Sequence, residues 1–470
     1  MGNDNHSCLA EWPLNNNNKP PINQELNSWA NLPTIVLHDI FSLLNHDDRI
    51  NASSVCRSWR QALYHPNFWN HVDFHLNPTL QMQKSCYLIS ACSHLVRHTT
   101  INYTSLSMWC VYEFTDLLKR LTTNYNLKSL MLEPSHCHLQ EPDNCKANFI
   151  EKRIIKPLLS ICPRLEALSL GCCEEICNNL TRFLELMANS EHPEKVQTIG
   201  FASVKDDPGN YLLIDVNVQL FSSFTNLKII SVDYDYMSDI FLDSLRGAKH
   251  LERMVVHIHG LWDGHPGTTD RAWSNFVSQH PKCFLRLTLI HAYEAIHILD
   301  QRILHPSMPL SHLKVFFCEA LNYNTMNLLS SWYRSSLRSI IWVDSRTSRS
   351  VWVFVELLQR NTPDPLVMAA WTCTKLEEVV LLGYKYFEED IVAIARLRGD
   401  VLKRICVADE DVLYSQQMYS NYPDSRTELS DILGYDWSPI PEDDIHPVIK
   451  DPTAGDSDDY LLPIVLADLK

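Results

Sequence analysis

Glycine is scarce, 12 residues in 470, too few for a collagen-like chain or for flexible glycine linkers. No apolar run reaches the roughly 18 residues of a membrane span, so no membrane partner is expected. The first 27 residues are polar, with an Asn15–Asn18 run, and lack both a basic start and an apolar core. That excludes an ordinary secretory signal. Met1-Gly2 is followed at the sixth position by His6, where myristoylation wants Ser or Thr. Also lacking are a phosphate-cradling glycine loop, an HExxH pair and a GxSxG elbow. No basic footprint for nucleic acid is present.

What is there is a core. Hydrophobic residues make up 45% of the chain and aromatics 10%, too much for a disordered protein. Net charge is −16, unevenly spread. Residues 408–470 carry 15 acidic and 3 basic side chains, a balance of −12, so the body is nearly neutral. Fifteen cysteines are scattered and read as reduced thiols of a cytoplasmic or nuclear protein. His136-Cys137-His138 with Cys145, and Cys172-Cys173 with Cys177, come nearest to metal spacing, but neither has a second half. His257-x-His259 lies on one predicted strand, a lone pair better suited to the core or surface than to a metal. No metal, cofactor or catalytic residue is expected.

Residues 29–75 differ in pattern from the rest. Leu32-Pro33 opens a helical stretch, followed by Ile35, Val36, Leu37, Ile40, Phe41, Leu43 and Leu44, more apolar surface than one packing face needs. Asp47 or Asp48 is expected to cap the next helix. Ile50, Ala52, Val55, Trp59, Ala62 and Leu63 supply further apolar faces, and His65-Pro66-Asn67-Phe68-Trp69 closes the unit. A three-helix core of this size is marginal alone, and its surplus apolar surface suggests a protein partner.

Leu32-Pro33, Ile35, Leu37, Ile40-Phe41, Leu44, Asp48, Val55-Cys56-Arg57-Ser58-Trp59-Arg60, Leu63 and Phe68-Trp69 resemble an F-box over about a tenth of the chain. Thr34 stands where the family often has Glu or Asp, and Arg49 where it often has Leu. The resemblance implies binding of the Skp adaptor, and through it cullin and RING subunits. Leu32, Pro33, Ile35, Val36, Leu37, Ile40, Phe41, Leu44, Val55, Cys56, Trp59 and Leu63 are the implied adaptor-binding residues.

From about residue 95 one pattern recurs: apolar, two variable, apolar, one variable, apolar. It stands at Val96-Thr99-Ile101, Leu127-Leu130-Leu132, Leu165-Leu168-Leu170, Val196-Ile199-Phe201, Leu227-Ile230-Val232 and Leu251-Met254-Val256. It continues at Phe284-Leu287-Leu289, Leu313-Phe316-Cys318, Leu337-Ile340-Trp342, Leu376-Val379-Leu381 and Leu402-Ile405-Val407. The spacing averages about 31 residues, the period of leucine-rich repeats. Apolar stripes at helical spacing lie between, as in Phe114-Leu117-Leu118-Leu121, Leu180-Phe183-Leu184-Met187, Trp273-Phe276-Val277 and Phe387-Ile391-Ile394, with two more around Val351–Gln359 and Leu366–Ala370. The expected fold is α/β: a small helical F-box followed by a leucine-rich-repeat solenoid with parallel strands and outer helices. Leu165-x-x-Leu168-x-Leu170-x-x-Cys173-x-x-Ile176 resembles the cysteine-containing repeats of many F-box proteins. The expected division is an N-terminal arm at 1–28, the F-box at 29–75, a linker helix at 76–94, about 11 repeats at 95–411 and an acidic, Pro-rich tail at 412–470.

By template, Val255, His257, Ile290, Phe317, Glu319, Ile341, Val343, Val380 and Leu382 face the inner side of the array and form an apolar stripe. Two readings stand side by side: an open substrate site, or a face covered by the chain's own tail, with Trp437 and Leu461–Leu466 as anchors. The functional expectation is a non-catalytic substrate receptor of an SCF-type ubiquitin ligase, the repeats holding a target protein. The alternative is a repeat scaffold or inhibitor that binds the adaptor without delivering cargo to ubiquitin.

Overall fold

The computed structural model describes residues 29–78, 88–90, 92–141, 148–262, 264–346, 363–414 and 425–470. The expected arm, the helix around Val351–Gln359 and most of the linker helix lie outside them. Two compact units divide at Trp69.

In the first unit, α1 (Thr34–Ser42), α2 (His46–Ser53) and α3 (Arg57–Leu63) form a small bundle, closed by a 3-10 turn at Pro66–Trp69. Pro33 precedes α1 as its cap residue, its fixed φ of −54° leading into the helix. The cap of α2 is Asn45, not either aspartate: its Oδ1 accepts the Asp48 N–H at 2.9 Å, and its Nδ2 donates to the Asp48 carboxylate at 2.9 Å. Arg49 has a local structural role. Its Nε donates to the Phe41 carbonyl at 2.7 Å, and its guanidinium lies 5.1 Å from the Phe68 ring centre. A planar cation thus ties α2 to α1 and to the closing turn.

The second unit is built on one parallel sheet of twelve strands. They are β1 (His71–Leu76), β2 (His98–Tyr103), β3 (Ser129–Pro134), β4 (Ala167–Ser169), β5 (Thr198–Gly200) and β6 (Ile229–Asp233). Then come β7 (Arg253–Ile258), β8 (Phe284–Ile290), β9 (Leu310–Phe316), β10 (Ser339–Val343), β11 (Glu378–Leu382) and β13 (Arg404–Val407). Each neighbours the next in chain order; the short β12 (Tyr386–Phe387) and β14 (Val412–Leu413) pair separately. The template residues bury one sheet face against outer helices such as Met108–Leu121, where Tyr103 stacks on Phe114 at 4.2 Å. This is the solenoid arrangement, in which no unit can bury its apolar face alone.

Two features differ from expectation, the start of the sheet and the register of β9. The sheet begins at β1, inside the segment assigned to the F-box: Val72 and Phe74 pair with Thr99 and Ile101. Trp69-x-x-Val72-x-Phe74 carries the same template. In β9 the template slips by three residues. Leu313 pairs with Leu287 on one side and Ile340 on the other, both middle positions of their units. The true match is Leu310-Leu313-Val315. Because side chains alternate along a strand, an odd shift moves every side chain to the other face. Val315 therefore packs toward the helices, and His312, Lys314 and Phe316 share the inner face.

The acidic tail folds back. Trp437 is buried and donates from Nε1 to the Ile405 carbonyl at 2.9 Å. Ile440 bridges to Ala408. Asp456 caps the helix Ser457–Leu466, with Asp458 and Asp459 in its first turn, where carboxylates complement the helix dipole. Leu461, Leu462, Val465 and Leu466 join one buried cluster with Ile290, Phe316, Phe317, Ile341, Val343, Val380 and Leu382.

Candidate functional site

The described structure offers two surfaces, one in each unit. On the helical bundle the twelve implied adaptor-binding residues divide. Leu37, Phe41 and Leu63 are buried and make its core. Phe41 meets Trp59 edge-on at 5.8 Å, and the Trp59 Nε1 donates to the Trp29 carbonyl at 3.0 Å. Leu32, Ile40, Leu44, Cys56 and Trp59 are half-buried, and Pro33, Ile35, Val36 and Val55 are exposed. Ile35 is 71% and Val55 67% exposed. Two residues outside the twelve complete the apolar surface: Leu43 is 86% exposed and Trp29 72%. Leu43 follows α1 directly, and its signal was present in the sequence as one apolar residue too many for a single face.

In the array, of the two readings of the apolar stripe the structure shows the covered one, so these residues do not form an open site. Val255, His257, Ile290, Phe317, Ile341, Val343, Val380 and Leu382 are all buried, and six of these eight belong to the cluster under the tail. Covering them removes from water an apolar surface that would otherwise be left exposed. Glu319 alone of the nine is exposed. It lines a cavity of about 1030 Å³ with His136, His291, Tyr293, Asp344 and Asp456. Gly383, at φ +80°, ends β11 with no room for a side chain, since a Cβ would lie 2.0 Å from the Asp344 carbonyl. At the equivalent turns His291 and Phe317 take φ of +49° and +52°, a conformation that disfavours side chains.

Charge also fixes the tail. Asp468 is buried; Arg286 reaches it at 2.6 Å and Lys314 at 2.7 Å. Burial works to raise its carboxyl, but Lys314 and then Arg286 outweigh that and hold it below the usual carboxylate range. Arg253 donates to the carbonyls of Asp468 and Lys470 at 2.7 and 3.0 Å, and Lys470 pairs with Glu133 at 2.6 Å. Near β10, Arg346 joins Asp411 at 3.1 Å and Glu442. At the other end of the terminal helix, His136 meets Asp456 at 3.0 Å, and the Cys137 N–H donates to Asp458 at 2.7 Å.

Among the described residues two groups combine metal-ligand residue types: His136, Cys137 and Asp458, and Asp233, His257 and His259. The second is a hydrogen-bonded core. His257 Nδ1 and His259 Nε2 lie 2.9 and 3.0 Å from the Ser203 carbonyl. The Ser203 N–H and hydroxyl donate to Asp233, and Lys205 stands 3.7 Å from that carboxylate. A fixed ammonium there already supplies the positive charge a metal would bring. The thiols of Cys92, Cys162 and Cys283 are pushed up to about 12 by burial, which keeps them protonated and poorly nucleophilic. Among the described residues no helix is long and apolar enough to cross a membrane.

The chain is similar to several known proteins. Residues 29–75 match the model of the F-box-like family. The human F-box only protein 33 is 25% identical over 447 residues, covering 82% of this chain and 78% of that protein. Its mouse counterpart is 26% identical, covering 82% and 77%. The F-box/LRR-repeat protein 21 of Bos taurus is 45% identical over 49 residues, 10% of this chain and 11% of that protein. A solved structure titled "Crystal structure of TLR13-ssRNA13 complex" is similar at 13% identity and a TM-score of 0.27, over 70% of this chain and 41% of that one.

Proposed function

We propose, for a chain whose residues 29–75 are an F-box-like domain, that it is the substrate-recognition subunit of an SCF-type ubiquitin ligase. The helical bundle binds the Skp adaptor, and cullin and RING subunits follow through it; the repeat array holds a target protein. The observation that carries this reading is the apolar surface of the bundle. Ile35, Leu43, Val55 and Trp29 are each more than two-thirds exposed on a unit with a core of only a few buried side chains. Surface of that kind on a small helical unit marks a protein interface. The array supports the second half of the reading, since solenoids present extended binding surfaces. The chain itself acts without chemistry: a receptor accelerates transfer by raising the effective concentration of a target lysine beside the ubiquitin thioester.

Affinity purification of the full chain tests the reading. Adaptor and target are expected to elute together, and the target's abundance should rise when the chain is depleted. Co-elution with no change in abundance of any bound protein would establish the non-degradative scaffold instead. Absence of the adaptor from the eluate would remove both.

A further inference from the structure

The tail leaves one strip of the inner face partly open: Arg286, His312 and Glu378 are half-buried and Arg404 is exposed, while Ser339 between them is buried. Strand register sets three rows of side chains across the later units. The row Lys314–Ile341–Val380–Cys406 and the row Ile290–Phe316–Val343–Leu382 are buried, all but Lys314 within the cluster that includes the terminal helix. The row nearest the strand starts, Arg286–His312–Ser339–Glu378–Arg404, lies outside that cluster. Beside it is a groove of about 550 Å³, lined among others by Arg253, Lys282, Phe284, Arg286, His312 and Arg338.

In a chain of net charge −16 this groove has the opposite sign. Four cations line it, and Glu252 is its one carboxylate. Glu378, in the row itself, is paired with Arg404 at 3.1 Å, and two further carboxylates behind the groove are each shared between cations. Asp468 serves both Arg286 and Lys314, and Glu377 serves both Arg338 and Lys403. Arg253 bonds two main-chain oxygens, those of Asp468 and Lys470, and Lys282 is exposed. The Phe284 ring, 5.5 Å from the Arg338 guanidinium, gives the groove an apolar floor. His312 is pushed down to about 3, by burial first and then by Arg286 and Lys314, so it adds no charge and leaves the arginines to set the field.

We propose that this basic strip, not the apolar rows, receives the target, and that the segment it receives is an extended, carboxylate-rich stretch of a partner protein. The proposal rests on the receptor reading above and names its substrate class. Arg286 already grips one carboxylate, that of Asp468, which shows the chemistry the strip performs. Adjacent strands lie about 4.8 Å apart, and an extended segment advances about 6.7 Å every two residues. The cations on β7, β8 and just before β10 therefore suit acids at alternate positions. Screening confines their pull to about 8 Å at physiological salt, so the acidic remainder of the chain does not abolish it.

The test uses the full chain and three labelled probes followed by fluorescence anisotropy: an alternating Glu-Gly peptide, a Lys-Gly peptide of equal length, and single-stranded RNA. The Glu-Gly peptide is expected to bind, more weakly as salt rises, and to lose about tenfold in affinity in the Lys282→Glu, Arg338→Glu double variant. Lys282→Glu alone, at an exposed position, should give part of that loss with an unchanged unfolding midpoint. Glu-Gly affinity unaltered in both variants overturns the proposal, as does RNA binding that the double variant abolishes while no peptide binds. Adaptor pull-down is measured in parallel. Peptide binding without the adaptor would sink the ligase reading and leave the strip; adaptor without peptide binding would do the reverse.

Discussion

At Asp468 two cations converge on a buried carboxylate of the tail. Asp468→Asn leaves Lys314 buried beside an amide. Removing one partner of a buried pair costs about 3–5 kcal/mol, and urea denaturation should show a loss of that order. The pH dependence has two opposed parts. Asp468 and Asp233 have carboxyls held low in the folded state, so their stabilisation is complete above the unfolded value of about 3.9 and is lost as pH falls below it. Asp344 and Asp235 are raised to about 6, and Asp390 to about 7, in each case chiefly by burial. Their protonated forms are favoured in the fold, so that contribution is complete below the unfolded value of about 3.9 and is lost as pH rises from there through 6 to 7. The histidines oppose that loss: His312 and His291 are pushed down to about 3 and about 4, chiefly by burial, so their contribution grows as pH rises toward the unfolded histidine value of about 6.5. Stability is therefore expected to fall below about pH 4 and to level off above about pH 7, and a denaturation series whose free energy still changes steeply between pH 7 and 8 would contradict this.

At the scale of elements, the terminal helix Ser457–Leu466 is part of the array's core and not an appendage to it. Leu461 and Leu462 are fully buried. Leu462→Ala should cost about 2–5 kcal/mol. Phe317→Asp places a charge beneath the tail and is expected to release it: amide exchange across 457–466 should accelerate while the strands β2 to β6 stay protected. Uniform protection in that variant would mean the tail does not depend on the cluster. The β9 slip belongs to this scale too. Leu313-Phe316-Cys318 and Leu310-Leu313-Val315 both satisfy the template, and only hydrogen-bonded register with β8 and β10 chooses between them. That choice moves Lys314 from the helix side to the inner face, where it meets Asp468.

For the whole molecule, the prediction concerns separability. The Ile35→Asp, Leu43→Asp double variant changes exposed positions and should abolish adaptor pull-down with the unfolding midpoint preserved. Trp59→Ala should lose both, since Trp59 packs on buried Phe41 and truncating a large core-facing aromatic costs about 3–5 kcal/mol. If the surface variant also destabilises the chain, the exposed apolar residues serve folding and the adaptor surface must be sought elsewhere.

Periodicity alone determined the kind of molecule this is. A six-residue apolar template and helical stripes specify parallel strands backed by helices, because those patterns state which face of each element must leave water. The excess of apolar residues from Ile35 to Leu44 likewise stated that the first helix has more than one face to cover. What periodicity could not decide was which covering each face receives. The inner stripe and the tail were both legible as apolar, but burial is a property of pairs. Only the folded chain brings Leu461–Leu466 onto Phe317, Ile341 and Val380, and pairs Asp468 with two cations more than 150 residues earlier in sequence. Charge complementarity across such separations leaves no local signature, and so the uncovered strip and its basic character emerge only in three dimensions.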